Sequence, residues 1–207
     1  GYVERAQRLG AHVFSGETVT SWRAEGASPG APVTLTTADT GGGGGGGGRT
    51  LTAAAVVMAA GPWMGQMVPE LQELCVPERQ VVGWFEIEGA SRKHFAPDRF
   101  PVFVLEEEAA EGVAGGGAAY YGFPEHGEAP GFKIGLYRHL REQLHGAAAL
   151  AAVRRTADAA DEAALRAGAA AYFPAAGSGR LLSASACFFT NTPDGHFLVD
   201  RHPRHPQ

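Results

Sequence analysis

Along most of this chain apolar and polar positions alternate with a period of two, and helical spacing takes over in two main places. The first is YVERAQRLGAHV, where Val3, Ala6 and Leu9 predict a helix over residues 2–9 that Gly10 stops. The second is the Ala-rich stretch 158–172, apolar at Ala160, Ala163, Ala164 and Ala167 and ended by Pro174. Short alternating runs at 12–14, 18–23 and 33–37 predict a small antiparallel meander. Eight glycines, Gly41 to Gly48, interrupt it. A phosphate cradle needs its glycines between a strand and a helix N-terminus. Here a strand-like RTLTAAAVVMAAG follows, so the run predicts a flexible hairpin tip instead.

Residues 53–60 are almost continuously apolar and end in Gly61, Pro62 and Trp63. This predicts a buried parallel strand whose carboxyl end opens into a tight turn, the place where open α/β sheets bind ligands. It equally fits a plain strand, turn and helix start with Pro62 at the first helical position. Residues 63–74 then predict a short helix or two turns, broken by Pro69 and Pro77. From Arg79 the character shifts. RQVVGWFEIE, FPVFVLEEE, AAYYGFP and GFKIGLYRH are rich in aromatic and β-branched residues and predict four strands of an antiparallel sheet in a second domain. Residues 181–190 return as a strand carrying Cys187, a TNTPDG turn follows, and Phe197 to Val199 resume a strand. The fold class expected is mixed α/β (α+β).

A formal charge of -5 with scattered Lys and Arg gives no basic footprint, which excludes nucleic acid as a partner. No run of about 18 apolar residues spans a membrane, and the N-terminus has no secretory pattern. The two cysteines, Cys75 and Cys187, make no disulfide framework, and no Cys/His cluster has zinc-ligand spacing. No metal is expected, and a reducing compartment is.

Candidate chemistry lies on the strands. Cys187 ends a buried-looking run beside a turn, where a thiol can face a cavity or pack as a small hydrophobe. Lys133, between Phe132 and Ile134, either faces solvent or points inward as a functional group that must pair or hold a water. Tyr121 can offer a hydroxyl to a cavity or pack across strands. His139 and His145 read as surface histidines. A Cys187/His196 nucleophile pair is a rival reading that requires a low-pKa thiolate.

Taken in order, AAGPW, RQVVGWFE, YYGFP, GFKIG and CFFTNTPDGHFLVDRHP resemble the FAD-dependent amine oxidases of the monomeric sarcosine oxidase, N-methyltryptophan oxidase and pipecolate oxidase group. The likeness runs from about Leu9 to Pro203, broken chiefly at the glycine run and around Gly115. It implies FAD held covalently by a thioether from Cys187, with Ala60, Gly61 and Trp63 as further cofactor contacts. It implies catalytic roles for Lys133, which would hold a water and promote the reaction of reduced flavin with oxygen, and for Tyr121, which would line the substrate cavity. Tyr137 stands where sarcosine oxidase has an active-site histidine, with His139 two residues on. Phe189 stands where it has a tyrosine. Both departures leave secondary amino acids other than sarcosine open.

The GxGxxG strand-turn expected of an ADP-binding half is not in this sequence. The resemblance therefore implies a fragment. Residues 1–76 would be part of a FAD-binding domain, 77–185 the substrate domain, and 186–207 the flavin-linking strand returning to the first, as in a D-amino-acid-oxidase-like flavoprotein. The intact protein would oxidise a secondary amine to an imine and pass electrons to oxygen, giving hydrogen peroxide. Its partners would be a small amino-acid substrate and oxygen, its state monomeric, and its compartment cytoplasmic or peroxisomal. The alternative is an inactive remnant acting at most as a binding or scaffold module.

Overall fold

The computed structural model describes residues 1–28, 30–40, 48–108, 117–127 and 129–206. Apart from Gly48, the glycine run expected to form a hairpin tip lies outside the described residues. The chain falls into two compact units: Gly1–Ala59 together with Phe197–Gln207, and Ala60–His196.

In the first unit, helix α1 (Tyr2–Arg8) stops where Gly10 takes a φ of +95°. Three strands, β1 (Glu17–Ala24), β2 (Val33–Asp39) and β3 (Thr50–Ala53), form an antiparallel sheet in that order, as the meander pattern predicts. Two expected strands do not form. Residues 12–14 are irregular, and the apolar run 53–60 leaves the sheet at Ala53, with Val57 92% exposed. A third, Phe197 to Val199, is also irregular, and Phe197 and Val199 stand in solvent. Hydrophobicity alone does not make a strand, because each backbone N–H and C=O also needs a ladder partner. Residues 12–14, 54–60 and 197–199 belong to no sheet among the described residues.

The second unit opens with a 3₁₀ turn at Gly61–Trp63, helix α2 (Met64–Met67) and a further 3₁₀ turn at Pro69–Leu71, matching the expected short turns. Its sheet holds β4 (Val76–Phe85), β5 (Phe103–Glu106), β6 (Ala119–Phe123), β7 (Phe132–Leu136) and β8 (Leu181–Asn191). Every pairing is antiparallel and the order is β5-β6-β7-β4-β8. The two longest strands, β4 and β8, pair from Val76/Asn191 to Phe85/Leu181 although about a hundred residues separate them along the chain. The intervening helices are α3 (Gly146–Ala152), α4 (Ala159–Tyr172) and α5 (Pro174–Gly177).

One face of this sheet is the core. Val81, Phe85, Phe132 and Ile134 are fully buried together with Leu165 and Ala169 of α4. The rings of Phe95, Phe100, Phe103 and Phe173 pack around Phe132 at centroid distances of 4.7–5.7 Å, Phe103 stacked on it and Phe95 and Phe100 edge-on. Helix α4 starts at the Asp158 cap, whose carboxylate accepts from the Ala160 and Asp161 N–H groups. The stripe it buries is Asp161, Leu165, Gly168 and Ala169, rather than the alanine stripe that the spacing suggested. Alanine methyls on every side of a helix choose no face. Gly168 does, because a Cβ there would come within 2.3 Å of the Tyr120 ring.

Candidate functional site

Alternation gives the other face of the sheet a composition of its own. Register aligns Phe123, Lys133, Trp84 and Ser183 in one row across β6, β7, β4 and β8. The next row is Tyr121, Gly135, Val82 and Ser185, and beyond it Gln80 pairs with Cys187. Tyr137 follows β7 on the same side, its ring 5.6 Å from that of Phe189. Tyr121, Lys133, Tyr137 and Cys187 therefore lie on one sheet face, contributed by three strands.

The rows interlock. The Tyr121 ring lies across Gly135, where an added Cβ would sit 2.5–2.8 Å from the ring carbons and hydroxyl. A glycine here is a slot for a phenol. Lys133 is half-buried, and its Nζ stands 5.1 Å from the Trp84 ring centroid and 5.0 Å from that of Phe123. Of the two orientations the sequence leaves open, the structure shows an ammonium set between two rings.

Electrostatics ties the three groups together. Burial pushes the Cys187 thiol up from its ordinary value, and the Lys133 ammonium pulls it part of the way back. Burial also pushes the Tyr121 phenol up to about 12, with the charge of an ionised Cys187 adding to the shift. The phenol therefore keeps its proton at neutral pH and can donate a hydrogen bond. A thiol raised by burial is the reverse of what a nucleophilic Cys/His pair needs, which removes the support for that rival reading.

The turn carrying Ala60, Gly61 and Trp63 belongs to the same unit but meets β8 from the other side. Gly61 takes a φ of +52°, and the Trp63 ring meets Phe188 edge-on at 6.4 Å. Phe188 alternates with Cys187, so these residues do not share the face of Lys133 and Tyr121. The Arg155 guanidinium covers the same Phe188 ring at 4.4 Å.

Sequence reasoning missed the polar cluster that anchors this site. Arg79, 1% exposed, donates from Nη1 and Nη2 to Asp161 at 2.8 and 2.9 Å. It also donates to the Arg154 and Thr156 carbonyls. His139, expected at the surface, is fully buried with Nε2 2.9 Å from Asp161 Oδ1. A carboxylate can only accept, so Nε2 carries the proton. Burial alone would raise the Asp161 carboxyl, but hydrogen bonds from Arg79, Arg154, the Asp158 N–H and His139 hold it far below the usual carboxylate range. The His139 N–H donates to Gln80 Oε1, which links the cluster to the strand position opposite Cys187. The only signal in the sequence was a charged residue in the strand RQVVGWF and the DxxD cap of α4. Nothing in it pairs positions 82 residues apart.

The chain is similar to monomeric sarcosine oxidase from Bacillus sp. (strain NS-129), 35% identical over 152 residues, which are 72% of this chain and 35% of that protein. It is 31% identical to N-methyl-L-tryptophan oxidase from Salmonella dublin over 153 residues, again 72% of this chain and 35% of the relative. It thus spans about a third of the length of these relatives. Among solved structures it resembles fructosyl amine:oxygen oxidoreductase (Amadoriase I) from Aspergillus fumigatus, with a TM-score of 0.67 at 20% identity over 98% of this chain and 43% of that one. Glycine oxidase from Geobacillus kaustophilus gives a TM-score of 0.61 at 20% identity over 97% of this chain and 43% of its own. These two likenesses speak for the fold, a D-amino-acid-oxidase-like flavoprotein architecture of mixed helices and antiparallel sheets. The match to FAD dependent oxidoreductase (DAO) extends over residues 1–207, and the chain belongs to that family.

Proposed function

We propose that the intact protein oxidises a secondary amine, an N-methyl or cyclic amino acid, with FAD attached through Cys187 and oxygen as the electron acceptor. The observation that carries this reading is the convergence of Cys187, Lys133 and Tyr121 on one sheet face, with Cys187 within electrostatic reach of each of the other two. The face also fits the group chemically. It offers a half-buried thiol, an ammonium, a protonated phenol and partly exposed aromatic surface at Phe123 and Tyr137. When bound, FAD supplies the two-electron oxidation of amine to imine and returns the electrons, with two protons, to oxygen as hydrogen peroxide.

The protein's own residues hold, orient and place charge. Cys187 fixes the position of the cofactor on β8, and Lys133, from β7, sets a positive charge on the same face, where it stabilises negative charge as it develops. Tyr121 offers a hydroxyl that stays protonated at neutral pH. Tyr137 covers the end of the face beside Phe189 and limits the size of what enters.

The test is to purify the full-length protein and digest it. A flavin mass on the Cys187 peptide, visible flavin absorbance and peroxide release with N-methyl amino acids are expected. Colourless protein with an unmodified Cys187 would overturn the reading in favour of a noncatalytic module.

A further inference from the structure

Among the described residues the half-buried Lys133 ammonium forms no ion pair with a carboxylate and no side-chain hydrogen bond, and its contacts are with aromatic rings. Two rings stand beside it, and the Cys187 sulfur lies within reach of its field. Trp84 and Phe123 flank it directly across β4 and β6, at the separations that cross-strand pairs impose. Both centroids stand about equally far from Nζ. Lysine is a long, rotamer-rich side chain, and holding it in one place ordinarily takes a counter-ion. A carboxylate would hold the ammonium and cancel its field. Two ring faces attract the cation through their quadrupoles and leave its charge and its N–H donors uncompensated.

We propose that Trp84 and Phe123 are positioning residues that clamp the Lys133 ammonium over the Tyr121–Cys187 face without neutralising it. The chemistry they would serve rests on the amine-oxidase reading, whereas the clamp itself does not depend on it. The two rings act unequally on the backbone. Trp84 sits in the long interior strand β4, between β7 and β8, and Phe123 ends β6 with 39% of its surface exposed, so Phe123 can be altered with little effect on the core.

The sequence offers a clean probe, since it contains two lysines, Lys93 and Lys133. Reductive methylation with ¹³C-formaldehyde keeps the charge and labels both, together with the Gly1 α-amine, which Lys93→Arg and Lys133→Arg spectra separate from the lysine signals; Lys93, exposed in its 3₁₀ turn, serves as the reference. The Lys133 methyl resonances of the 207-residue chain are expected upfield of those of Lys93, displaced by the two ring currents. Phe123→Leu should remove part of that displacement and Trp84→Leu another part, while Trp84→Phe retains it. Equal shifts for the two lysines, or a Lys133 shift indifferent to both leucine variants, would overturn the clamp. In the flavin-loaded full-length protein, Phe123→Leu and Trp84→Leu should each slow reoxidation by oxygen roughly two- to fivefold. Neither should have any further effect in a Lys133→Met background. Ring shifts that are present while Lys133→Met leaves reoxidation unchanged would support the clamp and overturn the role given to Lys133 above, so the two failures are distinguishable.

Discussion

Removing the Asp161 carboxylate should destabilise the chain strongly. The side chain is fully buried and takes five hydrogen bonds: two from Arg79, one from Arg154, one from the Asp158 N–H and one from His139. Asp161→Ala leaves the Arg79 guanidinium buried with only the Arg154 and Thr156 carbonyls and the more distant Glu142 carboxylate, 3.6 Å from Nη1. Breaking a buried pair by deleting one partner costs about 3–5 kcal/mol, because the remaining charge is stranded. For a chain of this size that is a fall in Tm of roughly 6–20 °C. Thermal melts followed by circular dichroism, with Ala163→Ser on the exposed side of the helix as control, would measure it. The pH dependence carries a sign. A carboxyl held below its unfolded value contributes stability that is fully present above about pH 5. That contribution is lost as pH falls below roughly 3.9 toward the folded value. The Tm difference between wild type and Asp161→Ala should therefore shrink in acid. A difference under about 1 kcal/mol at neutral pH, or one that grows as pH falls, would refute the assignment of this cluster as the anchor between β4, α4 and the turn after β7.

Three further outcomes are expected. Lys133→Met should slow alkylation of Cys187 by iodoacetamide in flavin-free chain, because the ammonium opposes the rise in the thiol pKa. Losing that opposing charge should cut the thiolate population, and with it the rate, by roughly twofold or more. Peptide-resolved mass spectrometry, with buried Cys75 as internal control, reads it, and an unchanged rate would separate the two groups. Gly135→Ala should cost about 1–3 kcal/mol by overpacking and displace the Tyr121 ring, lowering the one strongly raised phenol in a spectrophotometric titration from about 12. A variant with wild-type stability and an unshifted phenol would mean that the ring does not lie across the glycine. Cys187→Ser in the full-length protein should release its flavin on denaturation and gel filtration, whereas wild type keeps it. Retention by the serine variant would place the covalent link elsewhere.

What the sequence determined by itself was local. Alternation with aromatic and β-branched enrichment located β4, β6, β7 and β8, and Asp158 and Pro174 bracketed α4. It also brought Lys133, Tyr121 and Cys187 forward, because motif order survives in a linear string. Failures came where an element needs a partner to exist. Residues 54–60 and 197–199 carry the apolar composition of strands without a ladder beside them. Tertiary structure alone decided which face each strand presents, since a shift of one residue in register exchanges core and site. It alone buried His139 and joined Arg79 to Asp161 across 82 residues. A charged side chain enters a core only when its partner is already there, and pairing at that separation is a property of packing, with no trace in neighbouring residues.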